Sequence, residues 1–487
     1  MNAMMVFYIL GHVLRIEGVF MLLPALTGLI YQESNGLYFL YMALFLFFIG
    51  FLLSFKRPEN TTIYLKEGCV ITALSWIAMS YFGALPFYFT GEIPSLLDAI
   101  FETVSGFTTT GASILPDPEA LCHATQFWRC FTHWIGGMGV LVFLLAIIPM
   151  SGGSNINIMR AESPGPSVGK LVPKMRQTAG LLYLIYFFLT ALEVLFLVIG
   201  KMPLFDSICT SFATAGTGGF GVYRDSMASQ TAYLQWVVTI FMILFGVNFN
   251  FYFFLLYRHF KKAFTMSEIR AYLAIIVASV TIITVNTINI FGNVLTGVRH
   301  SAFQVASIMT TTGFASHDFD MWPEPSKVIL VILMFIGACA GSTGGGIKVS
   351  RFIILHKSIR KEMKSYLHPK SVSKLTMDGS PIEHDVVRSV NVYFISFMIL
   401  FTASVFFVSF DNKGLITSFS AVAATINNIG PGLHLVGPTQ NYAGFSDFAK
   451  IVLSFDMLAG RLELFPLLML FNPKLYFSKP IFSRKAN

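Results

Sequence analysis

Charged side chains are scarce in this chain of 487 residues: 12% of the residues are Asp, Glu, Lys or Arg, and 55% are hydrophobic. Soluble domains carry about 25% charged residues, so the composition excludes a chain built mainly of soluble domains. The 25 acidic residues are outnumbered by 33 Lys and Arg, which gives a formal net charge of +8. These basic residues lie in short segments between apolar runs, which argues against a nucleic-acid-binding function.

Cysteines and catalytic motifs are equally sparse. The five cysteines have no metal-ligand spacing, and the ten histidines form no His-Glu-x-x-His pair. Cys122 and Cys130 are both predicted near the outer face, and the sequence allows either a disulfide between them or two unpaired thiols. Asp456 lies alone in an apolar run, where a hydrogen-bonded residue is expected in preference to a catalytic one. The sequence therefore predicts neither an enzyme nor a bound organic cofactor.

What the chain does contain is a series of apolar runs of about 20 residues, the length that crosses a bilayer as a helix. The first run carries Arg15 and Glu17 and has no small-residue cleavage site, so it is interpreted as a retained span and not as a signal peptide. Ten spans are predicted, near 5–30, 36–54, 69–90, 128–150, 178–200, 230–257, 268–291, 327–356, 386–409 and 447–472.

The distribution of Lys and Arg predicts the orientation of these spans. Basic residues concentrate in alternate connections, most densely in 160–176 and 357–374, and again in the C-terminal tail. Cytoplasmic loops are the ones enriched in Lys and Arg, so these segments and both termini are expected on the cytoplasmic side.

Four short segments with a glycine flanked by small, Thr-rich or amide residues are the most informative feature. Each follows a short apolar stretch, lies between two long apolar runs and is expected on the outer side. Their central residues are Thr109-Thr110-Gly111, Thr217-Gly218-Gly219, Thr311-Thr312-Gly313 and Asn428-Ile429-Gly430. A single such glycine is more readily explained by a turn or by helix packing. Four copies at matching places instead predict four glycine loops that converge on one axis, where backbone carbonyls can replace the water shell of a cation.

The predicted fold is therefore an all-α membrane protein of about ten transmembrane helices. Four pseudo-repeats of helix, pore helix, filter loop and helix surround a central pore, and two N-terminal helices precede them. The pore helices are too short to cross a bilayer and are expected to be buried in protein. The predicted segments are 1–68 for the N-terminal helices, followed by the repeats 69–177, 178–267, 268–385 and 386–487.

A second glycine-rich segment interrupts the last span of the third repeat. It contains Gly341-Ser342-Thr343-Gly344-Gly345-Gly346-Ile347-Lys348, with apolar runs on both sides. Three consecutive glycines destabilise a helix, so a broken helix with a loop under the filter is predicted, with a simple packing kink as the alternative. A phosphate-binding loop is excluded, because Ile347 separates the glycines from Lys348 and the context is a membrane span.

Arg461 lies in the middle of the last span. A charged side chain at that depth costs at least about 2.5–3.5 kcal/mol, so Arg461 is expected to face water, a carboxylate or backbone carbonyls. A pore-lining position that holds the loop of residues 344–346 closed is one interpretation, and pairing with Glu463 or Glu193 is the other. Glu17 is expected to form a structural ion pair, and Glu102 to stabilise the first pore helix.

Taken together, these motifs closely resemble the Trk/Ktr/HKT potassium transporter superfamily, and the two additional N-terminal spans resemble its bacterial Trk branch. The resemblance covers nearly the whole chain. It rests on the four glycine loops, on residues 340–348 and on Gly460-Arg461-Leu462-Glu463. The second loop, with Ala215-Gly216-Thr217, is richer in glycine than is usual for the family.

The resemblance implies potassium uptake across the bacterial cytoplasmic membrane, with K⁺ as the transported and bound ion. It implies a filter made of backbone oxygens at the four loops, and a gate formed by residues 341–346 with Lys348 and Arg461. It also implies a homodimer with one pore per subunit, and a cytosolic, Rossmann-type nucleotide-binding subunit that docks on the basic face.

Two other classes remain open at this point. A proton- or sodium-coupled potassium symporter with alternating access also uses broken helices near the middle of the membrane. A membrane receptor or scaffold would need no convergent filter, and its ion flux would not depend on the permeant ion. Four outward glycine loops favour a fixed central filter over both.

Overall fold

The computed structural model describes residues 2–60, 62–139, 175–369 and 374–473, and within these ranges its regular secondary structure is almost entirely helical. Eighteen α-helices are present there, together with one short antiparallel hairpin, β1 (Thr376–Met377) and β2 (Ser380–Pro381). The predicted all-α class is confirmed. Segments 140–174 and 474–487, which hold much of the predicted basic surface, lie outside the described residues.

The two N-terminal helices, α1 (Ala3–Ile30) and α2 (Gly36–Ser54), form an antiparallel pair held by small residues. A Cβ atom built on Gly11 would lie 2.7 Å from the carbonyl oxygen of Gly50, and one built on Gly18 would lie 3.0 Å from that of Ala43. Small residues let membrane helices approach this closely, because lipid offers no hydrophobic driving force for association.

The rest of the chain repeats one pattern four times. Each repeat has an outer helix, a short pore helix, a glycine loop and an inner helix. The outer helices are α3 (Leu65–Phe89), α6 (Met175–Ile199), α11 (Ser267–Phe291) and α15 (His384–Val408). The pore helices are α4 (Leu96–Phe107), α7 (Leu204–Ala215), α12 (Val294–Met309) and α16 (Leu415–Ile426).

The inner helices begin with α5 (His123–Met138), α8 (Ala232–Phe245), α13 (Glu324–Ile336) and α17 (Asp447–Arg461). Further helices follow three of them: α9 (Phe249–Leu256) and α10 (Phe260–Thr265) after α8, α14 (Val349–Leu367) after α13, and α18 (Phe465–Met469) after α17.

The pore helices are short and buried, as predicted. α4 has 12 residues, which corresponds to about 18 Å and falls short of the roughly 30 Å hydrocarbon core. Its N-terminus is capped by the Ser95 hydroxyl, which accepts a hydrogen bond from the Asp98 amide. The last seven residues of α4 are all buried, so this helix lies inside the protein and not in lipid.

Six of the described helices are long and apolar enough to cross a membrane, namely α1, α2, α3, α6, α11 and α15. The four other predicted spans are the inner helices, and the three with a described continuation are interrupted. The break in 327–356 was predicted. The spans predicted at 230–257 and 447–472 are interrupted as well, which was not predicted: α8 and α9 meet at 88°, and α17 ends before residues 462–464.

The two unpredicted breaks have local causes. Asn248 caps the N-terminus of a new helix, α9, because its side-chain oxygen accepts a hydrogen bond from the Asn250 amide at 2.9 Å. Glu463 and Leu464 both have a positive φ, of 56° and 67°, which interrupts the helix after α17. No glycine run marks either place, so the apolar pattern alone gave no signal.

Candidate functional site

The four glycine loops share one backbone conformation. The first residue of each three-residue filter segment has a positive φ: Thr109 (56°), Thr217 (54°), Thr311 (60°) and Asn428 (55°). The amide of the next residue bonds to the carbonyl five residues earlier: Thr110 to Ser105 (2.9 Å), Gly218 to Ala213 (2.8 Å), Thr312 to Ser307 (2.8 Å) and Ile429 to Ala424 (2.8 Å). This is the Schellman turn that ends a helix, so each pore helix passes into its loop in the same way.

The glycine two residues after each turn again has a positive φ, between 79° at Gly111 and 94° at Gly430. Its missing side chain makes room for the next repeat. A Cβ atom on Gly111 would overlap the carbonyl oxygen of Gly218, one on Gly219 that of Thr312, and one on Gly313 that of Ile429. On Gly430 it would lie 2.8 Å from the carbonyl oxygen of Thr110. The four loops therefore close a ring in chain order.

This ring brings the twelve predicted filter residues together. Gly111, Gly219, Gly313 and Gly430 all line one outer cavity of about 300 Å³. The central residues of the loops are buried, so their carbonyls are presented by backbone that the protein holds fixed. Such an arrangement can bind a dehydrated cation through several oxygens at once.

Side chains brace three of the four loops from behind. The hydroxyls of Thr108 and Thr110 lie 2.8 Å apart, and those of Thr310 and Thr312 lie 2.7 Å apart. In the fourth loop, Asn428 Nδ2 donates to Thr110 Oγ1 at 2.9 Å. The Tyr442 hydroxyl also donates to the carbonyl of Gly430 at 2.7 Å. Tyr442 was not predicted as a site residue, since a lone tyrosine in a connection carries no pattern.

Residues 337–348 lie directly beneath the ring. The amide of Gly345 donates to Thr311 Oγ1 at 2.6 Å, and a Cβ atom on Gly344 would lie 2.8 Å from the carbonyl oxygen of Thr310. An inner cavity of about 120 Å³ is lined by Ser342, residues 344–346, Lys348, Asn428 and residues 460–463, among others. The predicted gate residues and the fourth filter loop therefore border one cavity.

Arg461 connects the ring with the loop below it. Nη1 donates to Thr109 Oγ1 at 3.3 Å and to the carbonyl of Thr343 at 2.9 Å. Nη2 donates to the carbonyls of Gly136 and Gly137, at the end of α5. The guanidinium therefore binds backbone carbonyls, as expected. Within the loop, however, its partner is Thr343, and the carbonyl of Gly344 is bound by Lys348 instead.

The Glu463 carboxylate considered as a partner of Arg461 is held by another residue. Arg351 forms a bidentate ion pair with Glu463, and its guanidinium carbon also lies 3.9 Å from the centre of the Tyr393 ring. Arg351 was missed by the sequence analysis because it lies just past the glycine segment, where basic residues are common.

Glu268 is a second residue that sequence reasoning missed. One carboxylate oxygen accepts hydrogen bonds from the amides of Ala340 (2.7 Å) and Ser350 (3.2 Å), and the other lies 3.3 Å from Asn248 Nδ2. Glu268 therefore joins the two ends of the interrupting loop to the break between α8 and α9. An acidic residue in the first turn of an apolar helix was the available signal.

Three further buried carboxylates differ in whether they form a salt bridge. Glu102 forms a 2.7 Å ion pair with Arg129 and accepts from the amide of Ile114, which agrees with its predicted structural role. Glu17 and Glu193 are buried, but neither forms a salt bridge within the described ranges, so the ion pair predicted for Glu17 is not observed there.

Two smaller predictions concerned polar groups outside the ring. Asp456 accepts a hydrogen bond from Ser404 at 2.6 Å, as expected for a hydrogen-bonded residue. All five cysteines are unpaired. The Cys122 thiol lies 3.1 Å from Thr125 Oγ1, which supports the alternative of two free thiols.

The chain is similar in sequence to proteins of one known family. The family model described as "Cation transport protein" (TrkH) matches residues 38–479. The chain is 36% identical to the Trk system potassium uptake protein TrkH of Salmonella typhimurium, over 93% of this chain and 95% of that one. It is 32% identical to the TrkH of Halomonas elongata, over 97% and 99% of the two chains.

A solved structure is similar over almost the entire length. The crystal structure of the potassium transporter TrkH from Vibrio parahaemolyticus superimposes with a TM-score of 0.88 at 32% identity, covering 98% of this chain and all of that one. Both the sequence and the arrangement of pore helices and glycine loops therefore place the chain in the TrkH family of cation transport proteins.

Proposed function

We propose that the protein takes up potassium across the bacterial cytoplasmic membrane through a pore at the centre of the four repeats. The observation that carries this proposal is the ring of glycine loops, in which three glycines leave room only for the next loop's carbonyl. The relatives named as potassium uptake proteins support K⁺ as the cargo. Backbone oxygens from all four repeats form the filter in this proposal.

The gate in this proposal is the loop of residues 341–346, held by Lys348 and Arg461. It lies between the ring and the cytoplasmic half, and it borders the inner cavity. Arg461 adds a fixed positive charge beneath the filter, where a cation would otherwise leave. Deleting residues 344–346 is expected to raise basal flux in protein that still folds, and unchanged flux would remove the loop from the gate.

A growth and flux assay tests the proposed cargo. The chain is expressed in a bacterial strain without potassium uptake, and K⁺ uptake is measured with Na⁺ and Rb⁺ as competitors. Rescue at low external K⁺, with weak competition by Na⁺, is expected. Equal uptake of K⁺ and Na⁺, or no rescue by well-expressed protein, contradicts the proposal.

The broken inner helices also suit a symporter with alternating access, in which proton or sodium movement is coupled to K⁺. Single-channel recording of the purified protein in a bilayer separates the two mechanisms. Unitary currents support the pore, whereas strict stoichiometric coupling without unitary currents supports the symporter.

Regulation is proposed to come from outside this chain. A homodimer, with both termini in the cytoplasm, would present its basic face to a cytosolic nucleotide-binding subunit. Within the described residues, α14 carries Lys357, Arg360, Lys361 and Lys364 toward its C-terminal end. Co-purification that weakens at high salt is expected, because the Debye length falls from about 10 Å at 0.1 M to 3 Å at 1 M. Full nucleotide response by this chain alone contradicts the need for a partner.

A further inference from the structure

The second glycine loop lacks the side chains that brace the other three. Where the first and third loops place two threonines, the second has Gly216 and Gly218. Neither glycine is required by its backbone, because only Gly219 of that loop is among the glycines with a positive φ. The reason for these glycines therefore lies in what surrounds them.

The space beside Gly218 is filled by the imidazole of His133, from the inner helix α5 of the first repeat. A Cβ atom on Gly218 would overlap the Nδ1, Cγ and Cε1 atoms of that ring. His133 is fully buried, and its ring centre lies 4.2 Å from that of Phe220. One side chain from a neighbouring repeat thus occupies the place that Thr110 and Thr312 fill in their own loops.

The hydrogen bonds of this imidazole determine its protonation state. Nε2 lies 3.2 Å from the Phe220 amide nitrogen, and a backbone amide can only donate, so Nε2 accepts. Nδ1 lies 2.7 Å from the carbonyl oxygen of Gly106, which can only accept, so Nδ1 carries the proton. Both bonds are satisfied only by the neutral ring protonated at Nδ1.

These two bonds join adjacent loops. The Gly106 carbonyl that accepts the hydrogen bond from Nδ1 also accepts one from the amide of Thr109, within the turn of the first loop. Phe220 directly follows Gly219, the filter glycine of the second loop. His133 therefore links the turn of one loop to the backbone of the next. Arg129 supports the same place, since it donates to the carbonyl of Gly221 at 2.9 Å.

We propose that His133, as a neutral imidazole, positions the second filter loop and thereby determines how well the ring selects K⁺ over Na⁺. The proposal rests on the filter function proposed above. His133 touches no ion in it, and acts only by fixing the Gly218–Gly219–Phe220 backbone against the first loop.

Two substitutions separate its space-filling role from its hydrogen bonds. His133→Ala removes both. His133→Phe keeps a ring of similar size but removes both bonds and leaves the Phe220 amide without its acceptor. Because both variants free the second loop from the hydrogen bond that fixes it, a fall in the K⁺/Na⁺ permeability ratio of about tenfold is expected for each, measured in proteoliposomes per folded molecule. A ratio equal to wild type in both folded variants overturns the proposal.

A second-site substitution guards against general misfolding. Gly218→Thr alone should be severely defective, because the threonine meets the His133 ring. In the His133→Ala background the same Gly218→Thr should be beneficial, since it restores the residue found at the centre of the first and third loops. This reversal of sign is not expected from a loss of stability alone. A Gly218→Thr that worsens selectivity equally in both backgrounds overturns the proposal.

Gly111→Ser and Met457→Ala serve as controls. The atoms nearest a Cβ atom on Gly111 belong to Gly218 and Gly219 and not to His133, so its variant tests the filter by itself. Met457 is the matched position in the fourth repeat, because it lies three residues before Gly460 on α17, as His133 lies three before Gly136 on α5. If Gly111→Ser lowers the permeability ratio and the His133 variants do not, only the role of His133 is wrong. If none of them changes it, the filter assignment fails as well. A Met457→Ala effect equal to His133→Ala would show a general packing effect and also overturn the proposal.

Discussion

In the proposed pore, the outer half repeats one structure four times, whereas the four helices of the inner half end in four different ways. On the outer side, four loops share one turn, one positive-φ position and one glycine that faces the next loop. On the inner side the described parts of the four inner helices end differently: α5 at Gly139, which has a φ of 78°, α8 at the bend of residues 246–248, α13 at the long loop 337–348, and α17 before Glu463 and Leu464. Arg461 also occurs in one repeat only.

In the proposed function, this difference follows from the physical task of each half. A dehydrated cation needs oxygens on all sides, so each repeat must supply an equivalent carbonyl. Obstructing a pore needs one obstacle, so a single repeat can carry the loop and a single repeat the arginine. Changes on the outer side are therefore expected to alter which ion passes, and changes on the inner side how much passes.

The largest effect is expected from Gly219→Ser, which should abolish K⁺-dependent growth. Its Cβ atom would overlap the Thr312 carbonyl oxygen, whereas at Gly430 the corresponding distance to Thr110 is 2.8 Å. Gly430→Ser should therefore keep more uptake and more K⁺/Na⁺ discrimination than Gly219→Ser. The comparison is measured as permeability ratios in proteoliposomes, normalised to folded protein. Identical behaviour of the two variants, or unchanged ratios in both, would contradict the ring.

Arg461→Ala tests the inner side. A unit charge about 4 Å from a cation repels it by about 4 kcal/mol at an effective dielectric of 20, so removing it should raise cation flux at least about tenfold. The ranking of ions should stay the same, because the filter lies farther out. Flux is measured per folded molecule, with Arg461→Gln as the control that keeps hydrogen-bond donors without the charge. Wild-type conductance in folded Arg461→Ala would remove this residue from the gate.

A smaller, few-fold rise in basal flux is expected for Glu268→Ala, because the loop ends at Ala340 and Ser350 lose their shared acceptor. The matched control is Glu67→Ala. Glu67 also lies in the first turn of an outer helix, but it accepts from the Tyr64 amide of its own helix end. Equal flux from the two variants in a proteoliposome assay would show that Glu268 has no special role in holding the loop.

The smallest effect concerns the N-terminal helix pair, far from either half of the pore. Glu33 accepts from the amides of His123 and Ala124, at 2.9 and 3.0 Å, and so caps α5. Glu33→Gln should lower stability by about 1 kcal/mol at neutral pH and leave the ion ranking unchanged. Thermal unfolding in detergent measures the first effect, and competition flux the second.

The hydrogen bonds of Glu33 also make the stability of the protein depend on pH. Partial burial raises the pKa of the Glu33 carboxyl, but the amides of Ala124 and His123 and the His123 ring together hold that pKa below its ordinary value. A carboxyl with a lowered folded-state pKa stabilises the protein at higher pH, and this contribution is lost as the pH falls through that pKa. The stability difference between wild type and Glu33→Gln should therefore shrink in acid. A difference that is constant with pH would contradict the cap.

The sequence predicted the parts of this fold that repeat or that interrupt an apolar run visibly. The four glycine loops, the short pore helices and the break at 337–348 all carried a pattern of residues, and the repeats reinforced one another. The breaks in 230–257 and 447–472 carried none. They depend on one asparagine cap and on two non-glycine residues with a positive φ, and the hydrophobic pattern predicts neither feature.

Partners that come from distant repeats were also beyond the reach of the sequence. The sequence showed that Arg461 is a buried charge. It did not show that Arg461 binds the carbonyl of Thr343 while Lys348 binds that of Gly344. His133 acts on a segment of another repeat, and Glu268 binds the amide of Ala340, 72 residues later in its own repeat. A pairwise contact of this kind has no sequence period, so it becomes visible only when the helices are placed in space.

The ring has a seam between its first and last repeats. Gly430 and Asn428 close against Thr110, and Lys450 forms a 2.6 Å ion pair with Asp98, 352 residues earlier. The chain leaves the ribosome from its N-terminus, so these contacts cannot form until the fourth repeat has been synthesised. During that interval Asp98 of the first pore helix and Thr110 of the first loop lack these partners, and the ring is open on one side. In the proposed function, a protein cut short before residue 428 would have three loops and no complete site for an ion, so the site exists only once the last repeat has been made.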